Sequence, residues 1–233
     1  MMALRIVIDA LLVIGAFFAL AGTLGVLKMP DTFCRMQAST CITTLGMLGV
    51  AIGGLLYAIF IMDNTAIDYP VVQGENNFSY INTDVYGDFA LAGSIFLDSD
   101  CDGSFHDPYS LLYGHHMENS KMFGDLDLYK DEAFFNENTT GTLVLPDRTY
   151  HLQIFACLLV PASEDAIFDV NQWDANLNGL LDFAQENALH LHSDTLDTVR
   201  AREGAQVLAM STCSTEFTDA RTILLAWMTT PEQ

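Results

Sequence analysis

Leu208-Ala-Met-Ser-Thr-Cys213-Ser-Thr-Glu-Phe-Thr-Asp-Ala-Arg221-Thr-Ile-Leu-Leu225 sets a thiol and a guanidinium at the facing ends of two apolar runs joined by a polar turn. Runs of this kind, bounded by Ser, Thr and Asp, read as β-strands. A cysteine without context usually behaves as a small buried hydrophobe. Here it ends its strand at a polar turn, and a permanently charged side chain returns on the next strand. Working outward, Tyr109-Ser-Leu-Leu-Tyr-Gly114-His115-His116-Met117 is another short apolar run, which stops at a glycine and then presents an imidazole. A Gly-His strand end is a means of holding an acid or base at a sheet rim. Cys213, His115 and Arg221 then supply a nucleophile, a proton carrier and a fixed cation for a developing oxyanion, the kit for acyl transfer through a thioester. An amide nitrogen leaves only once protonated, and a thiolate forms readily only near positive charge.

Further short apolar runs are Val71 to Gln73, Ser94 to Leu97, Leu111 to Tyr113, Thr142 to Leu145, Tyr150 to Val160, Gln206 to Met210 and Thr222 to Met228. Gly, Asn, Asp and Pro separate most of them, the pattern of a mainly β fold closing into a barrel with helices at its edge. Helices are expected from Met122 to Asn136 and from Leu177 to His190, the second carried by Leu177, Leu180, Leu181, Ala184 and Ala188 at helical spacing. Successive strand side chains face opposite ways, which would turn His116 away from a site served by His115, and His115 is taken as the acting one of the two. His190 and His192 have no third ligand nearby in the sequence and read as surface residues, so no metal and no cofactor is expected. Ser211 and Thr212 are candidates for shaping an oxyanion pocket or for strand packing, and Tyr113 for core or groove wall.

The first sixty or so residues are of different composition. Leu4 to Leu27 and Ile42 to Met62 each hold about 20 apolar residues or more, enough to cross a hydrocarbon core of about 30 Å. Two transmembrane helices are therefore expected in residues 1–62, ahead of a catalytic domain over 63–233. Cleavage of a signal peptide after Ala19-Leu-Ala21 is the competing reading, opposed by the weak basic start, by Asp9 inside the segment and by apolar sequence continuing past the site. Lys28 and Arg35 lie in the connecting loop, which the positive-inside rule assigns to the cytoplasm. Both chain ends then lie outside, with the Cys213 domain extracellular.

Up to Met62 three basic and two acidic residues give a net charge of +1, leaving −22 of the chain's −21 for residues 63–233. So acidic a segment excludes nucleic-acid binding, which needs clustered Lys and Arg. The five cysteines, at 34, 41, 101, 157 and 213, show no C-x-x-C pair. Cys101 and Cys157 can pair only if the fold brings them together, and the odd count leaves at least one free thiol.

Several blocks in order carry a family resemblance. Ile67-Asp-Tyr-Pro-Val-Val-Gln73, Ala92-Gly-Ser-Ile-Phe-Leu-Asp98, Tyr113-Gly-His-His-Met117, Met122-Phe-Gly-Asp-Leu126 and Ser211-Thr-Cys213 followed by Arg221 resemble the class B branch of the sortases, cysteine transpeptidases of Gram-positive cell surfaces. The resemblance implies a sortase-type closed β-barrel. It implies that Cys213 attacks a sorting signal near the C-terminus of a surface protein or pilin, that His115 protonates the departing amine, and that Arg221 steadies the oxyanion. An amine on a cell-wall precursor or a pilin lysine would resolve the thioester, in a protein anchored in the cell membrane by its two helices, with membrane lipid around them. A thiol hydrolase that gives the thioester to water shares this machinery.

The membrane half has a resemblance of its own. Gly22-Thr-Leu-Gly-Val-Leu-Lys-Met-Pro30-Asp31-Thr-Phe-Cys-Arg35-Met-Gln-Ala38, continuing to Thr44-Leu-Gly46, resembles the small G-type subunit of multisubunit sodium/proton antiporters, with Gln37 where that family carries histidine. Asp9, inside the first apolar stretch, is then a candidate ion group, or a partner of Arg5 one helical turn earlier. Tyr57 to Met62 cannot serve both as lipid-buried helix and as first barrel strand, so either the helix ends early or the barrel has an open edge.

Overall fold

The computed structural model describes residues 2–57, 67–117 and 121–230. The chain divides into two compact units, Met1–Ala66 and Ile67–Gln233.

In the first unit, α1 (Met2–Lys28) is followed by α2 (Thr32–Cys41), a π-helical segment (Ile42–Gly46) and α3 (Met47–Tyr57). The stretches Ile6–Lys28 and Thr32–Leu56 are each long and apolar enough to cross a membrane. The second begins ten residues earlier than the hydropathy expectation of Ile42, so the connection shrinks to residues 29–31 and Arg35 moves onto α2. The cause is local: Asp31 caps α2, its carboxylate accepting from Cys34 N, while Arg35 Nε donates to the Met29 carbonyl at 2.7 Å. The two spans pack backbone to backbone through small residues. A Cβ on Gly49 would lie 3.0 Å from Gly15 Cα, and one on Gly15 would lie 2.7 Å from Val50 N. Such close approach is how helices associate where lipid removes the hydrophobic drive. The Arg5 side chain and residues 58–62, on which two expectations bore, lie outside the described residues.

The second unit is built on one mixed sheet. Its strands are β1 (Val71–Gln73), β2 (Ile95–Leu97), β3 (Tyr109–Tyr113) and, after the small hairpin of β4 (His116–Met117) and β5 (Lys121–Met122), β6 (Thr140–Val144), β7 (Thr149–Pro161), β8 (Ala188–Leu191), β9 (Gln206–Cys213) and β10 (Ala220–Thr229). The order across the sheet is β1-β2-β3-β9-β10-β7-β6, with β8 paired to β7. The expected closed barrel is thus corrected: among the described residues β1 pairs only with β2 and β6 only with β7, so the ladder stays open at both ends. β1 and β2 are three residues each, too short to carry pairing round to the far edge.

The core lies against the central strands, where Leu111, Phe155, Leu158, Ile223 and Leu225 are fully buried. Each such side chain contributes about 1.5–3 kcal/mol of transfer free energy. The helix expected from Met122 is broken into a 3₁₀ segment (Gly124–Lys130) and α4 (Glu132–Glu137), because Asp131 turns extended and caps α4 through Phe134 N. Past β7 come α5 (Asp165–Phe168) and a 3₁₀ turn (Val170–Trp173), then α6 (Asn178–Asn187). α6 buries Leu180, Leu181 and Ala184 as its periodicity requires. It ends at Asn187, and from Ala188 the chain is drawn into β8, where His190 pairs with Cys157. α7 (Ser193–Ala201) leads into β9.

Candidate active site

Strand register places the site. β9 and β10 are antiparallel with Cys213 directly opposite Arg221, and β3 runs parallel to β9 with Tyr113 opposite Ser211. Directly opposed residues share a face of the sheet, with Cβ atoms about 4.5–5.5 Å apart. One face therefore carries Tyr113, Ser211, Cys213 and Arg221 together at the rim. Beyond Tyr113 the pairing continues one step, Gly114 N donating to the Ser211 carbonyl at 3.1 Å. Past the end of β3 the two histidines meet different partners: His115 Nε2 lies 2.7 Å from the Ile81 carbonyl, while His116 Nε2 lies 3.1 Å from Asp127 Oδ2, the carboxylate that Thr222 also meets.

Ile81 belongs to a shallow groove on the Cys213 face. Asn77, Ile81, Phe96, Tyr113, Ala162, Phe168 and Arg221 line about 290 Å³. Phe96 and Phe168 flank the Tyr113 ring, with centroids at 5.2 and 6.4 Å. The Tyr113 hydroxyl donates to Asp98 Oδ2 at 2.8 Å, and Asn77 Nδ2 donates to the same oxygen at 2.9 Å. Burial first, and then the Asp98 carboxylate, push the Tyr113 hydroxyl well above its ordinary value, so it remains a neutral donor. Tyr113 thus offers the groove its ring and keeps its hydroxyl for Asp98. Asn77 and Ile81 carried no signal in the sequence, since their segment has neither helical nor strand periodicity.

A carbonyl only accepts, so Nε2 of His115 carries a proton at Ile81 and Nδ1 is the nitrogen free for other use. Gly93, at φ +58°, packs close against that carbonyl, where an added Cβ would strike the Ile81 and Tyr80 oxygens. Arg221 is half-buried, donates to its neighbour's carbonyl at 3.2 Å and makes no ion pair among the described residues. Its guanidinium is available to a ligand oxygen. Ser211 is buried on the same face as Cys213. Thr212 points to the opposite face, where it is buried and its hydroxyl donates to the Gly114 carbonyl at 2.9 Å, bracing the end of β3 against β9.

The thiols divide sharply. Cys213 is exposed, whereas Cys101 and Cys157 are buried, unpaired and pushed up from 9.0 to about 12, chiefly by burial. Only Cys213, of the three thiols in the sheet unit, combines access to solvent with a cation opposite it. Two further histidines serve structure: His190 Nε2 lies 2.7 Å from the Lys130 carbonyl, and His192 stacks on Phe135 at 4.3 Å.

Different known proteins match the two parts of the chain. Residues 11–69 match the family described as a Na+/H+ antiporter subunit. Over 57 residues the chain is 33% identical to the G-type subunit of the Na(+)/H(+) antiporter of Alkalihalophilus pseudofirmus, covering 24% of this chain and 48% of that one. Most of the remainder is similar to sortase B of Staphylococcus aureus, 26% identical over 158 residues and 68% of this chain; the chain spans 63% of that relative's length. The solved structure of Spy0129, a Streptococcus pyogenes class B sortase involved in pilus biogenesis, is 33% identical with a TM-score of 0.64, covering 71% of this chain and 87% of that one.

The sheet unit is a sortase-like domain built on an open mixed sheet. The chain belongs to the class B sortase family, and it carries ahead of the sortase domain an apolar segment similar to the G-type component of antiporters.

Proposed function

We propose that the protein is a membrane-anchored cysteine transpeptidase that cleaves a C-terminal sorting signal and joins the acyl part to an amine. The observation that carries this reading is the cross-strand pairing of Cys213 with Arg221, beside a groove lined by Arg221 and by Ile81, whose carbonyl meets His115. In that arrangement the Cys213 thiolate adds to the backbone carbonyl of the signal, and Arg221 takes up the charge that develops on its oxygen. His115 gives a proton to the departing amide nitrogen, the C–N bond breaks and a thioester remains. An incoming amine, losing its proton to His115, attacks the thioester and restores the thiolate. The groove beside Arg221 suits the extended apolar and polar residues of a signal ahead of the cut, and the acceptor is a cell-wall or pilin amine.

The charge pattern supports an exterior location for the domain. Lys28 ends α1 and Arg35 lies in the first turn of α2, so both cations flank the short connection at residues 29–31. By the positive-inside rule this connection is cytoplasmic and both chain ends are outside. The assay is incubation of the detergent-solubilised chain with sorting-signal peptides and an amine. Acyl transfer is expected, and full turnover by Cys213→Ala would reject the assignment. Product analysis without amine separates a hydrolase, which would turn over equally well in its absence.

The match of residues 11–69 to an antiporter family favours a second activity for the apolar segment, as part of an ion-translocating assembly. Salt- or pH-sensitive growth that depends on Asp9 or Asp31 and not on Cys213 would establish it. Growth indifferent to both carboxylates would leave the segment an anchor.

A further inference from the structure

The turn between Cys213 and Arg221 is held from behind the sheet by one side chain. Lys130, at the end of the 3₁₀ segment, places Nζ 2.8 Å from Ser214 Oγ, 2.5 Å from Glu216 Oε1 and 2.9 Å from Asp127 Oδ1. Ser214 Oγ in turn donates to the other oxygen of Glu216. Asp127 Oδ1 accepts from Thr222 Oγ1 at 2.8 Å. One ammonium therefore grips the residue that follows Cys213 and, through Asp127, the residue that follows Arg221. We propose that Lys130 is a positioning residue that fixes the Cys213–Arg221 turn through Ser214, Glu216 and Asp127; this rests on the assignment of Cys213 as nucleophile.

The segment that carries Lys130 is tied to the core at two points. The Lys130 carbonyl accepts from His190 Nε2 at 2.7 Å, and Leu126 anchors the 3₁₀ segment in the core with no exposed surface. The turn itself is strained and acidic. Asp219 sits at φ +60°, and Glu216 and Asp219 belong to a unit that holds six Lys and Arg against 27 Asp and Glu. Lys130 is one of those six. Its hydrogen bond, followed by that of Ser214, draws the Glu216 carboxyl down to about 2, so the clamp stays ionised over the whole working range. Burial works against the Lys130 ammonium, but Asp127 and Glu216 outweigh it and raise its pKa overall. Exposed ion pairs contribute little to stability, whereas a small misplacement of reacting groups is costly in rate. The effect of the clamp belongs in turnover.

The test uses the full chain in detergent micelles, a sorting-signal peptide and an amine. Lys130→Met is expected to lower kcat about tenfold to a hundredfold with KM little changed, since displacement of a catalytic group acts on the chemical step. Glu216→Gln should lower kcat in the same sense, the double variant should be no worse than Lys130→Met alone, and Lys130→Arg should recover most of the rate. Lys121→Met, on the neighbouring hairpin, serves as control and should turn over normally. Unchanged kcat in Lys130→Met, a loss confined to KM, or an equal loss in Lys130→Arg would overturn the proposal. If the wild-type chain transfers nothing, the functional assignment falls instead, and the clamp is judged by amide hydrogen exchange over residues 214–220. Faster exchange there in Lys130→Met upholds it, and unaltered exchange refutes it.

Discussion

Cys213 and its two buried counterparts differ by environment alone. Burial holds Cys101 and Cys157 up at about 12, so their neutral form is favoured by folding. That contribution is fully present below the ordinary 9.0 and is lost as pH rises through about 12. Iodoacetamide at pH 8 should therefore alkylate Cys213 in the native protein and reach Cys101 and Cys157 only after denaturation, as peptide mass spectrometry reads directly. Equal labelling of all three would contradict the burial. The paired histidines give a second test at the same scale. A general acid contributes typically about 10²–10⁴-fold. His115→Gln should cost a factor in that range, whereas His116→Gln, which loses only the 3.1 Å contact with Asp127, should retain most of the rate. The reverse order would move the catalytic role to His116. The choice of His115 over His116 rests in the sequence on strand alternation, and in the structure the strand ends at Tyr113, so the choice is left to these two variants. That Tyr113 keeps its hydroxyl for Asp98 is not legible in the sequence, since the partner lies fifteen residues away across a turn.

Among the elements, the central strands are legible in the sequence and the edges are not. β7, β9 and β10 are long apolar runs whose burial follows from composition, and their ends lie within a few residues of expectation. Closure of the sheet depends on pairing between β1 and β6, which neither strand's sequence encodes, and it does not occur among the described residues. β8 is hidden because Ala188 continues the helical spacing of α6, and its pairing with β7 overrides that local preference. The groove is hidden for a related reason: the segment from Gly74 to Gly93 folds by turns, with Asp84 accepting from the Tyr86 and Asp88 amides, and follows no period. That segment carries its own prediction. Gly93→Ala should displace the Ile81 carbonyl from His115 and strain a positive φ, a distortion of about 1–3 kcal/mol. The measurable result is a fall in kcat larger than the fall in thermal stability implies, with Cys213 still alkylated at its native rate. An enzyme of normal kcat would show that the Ile81 carbonyl does not orient His115.

At the scale of the molecule, two compositions are joined in one chain: a pair of lipid-suited helices packed through glycine backbones, and a sheet unit of net charge −22 over residues 63–233. If both ends are outside, a membrane-impermeant maleimide should label Cys213 in intact cells; labelling only after permeabilisation would invert the topology. The two-part organisation is plain from the sequence, because hydropathy and charge change together near residue 62. The length of the second span is not, since Thr32 to Cys41 is polar enough to pass for a loop until the Asp31 cap is seen. The pleat leaves one more consequence. Tyr113, Ser211, Cys213 and Arg221 carry odd numbers, while Thr212 and Thr222, which serve the reverse face, carry even ones. The chain is thus subject to a parity rule. Loss of one residue from β9 would turn Cys213 to the reverse face of the sheet, and loss of two would return it to its own side. Length variation along these strands is therefore expected to come in pairs.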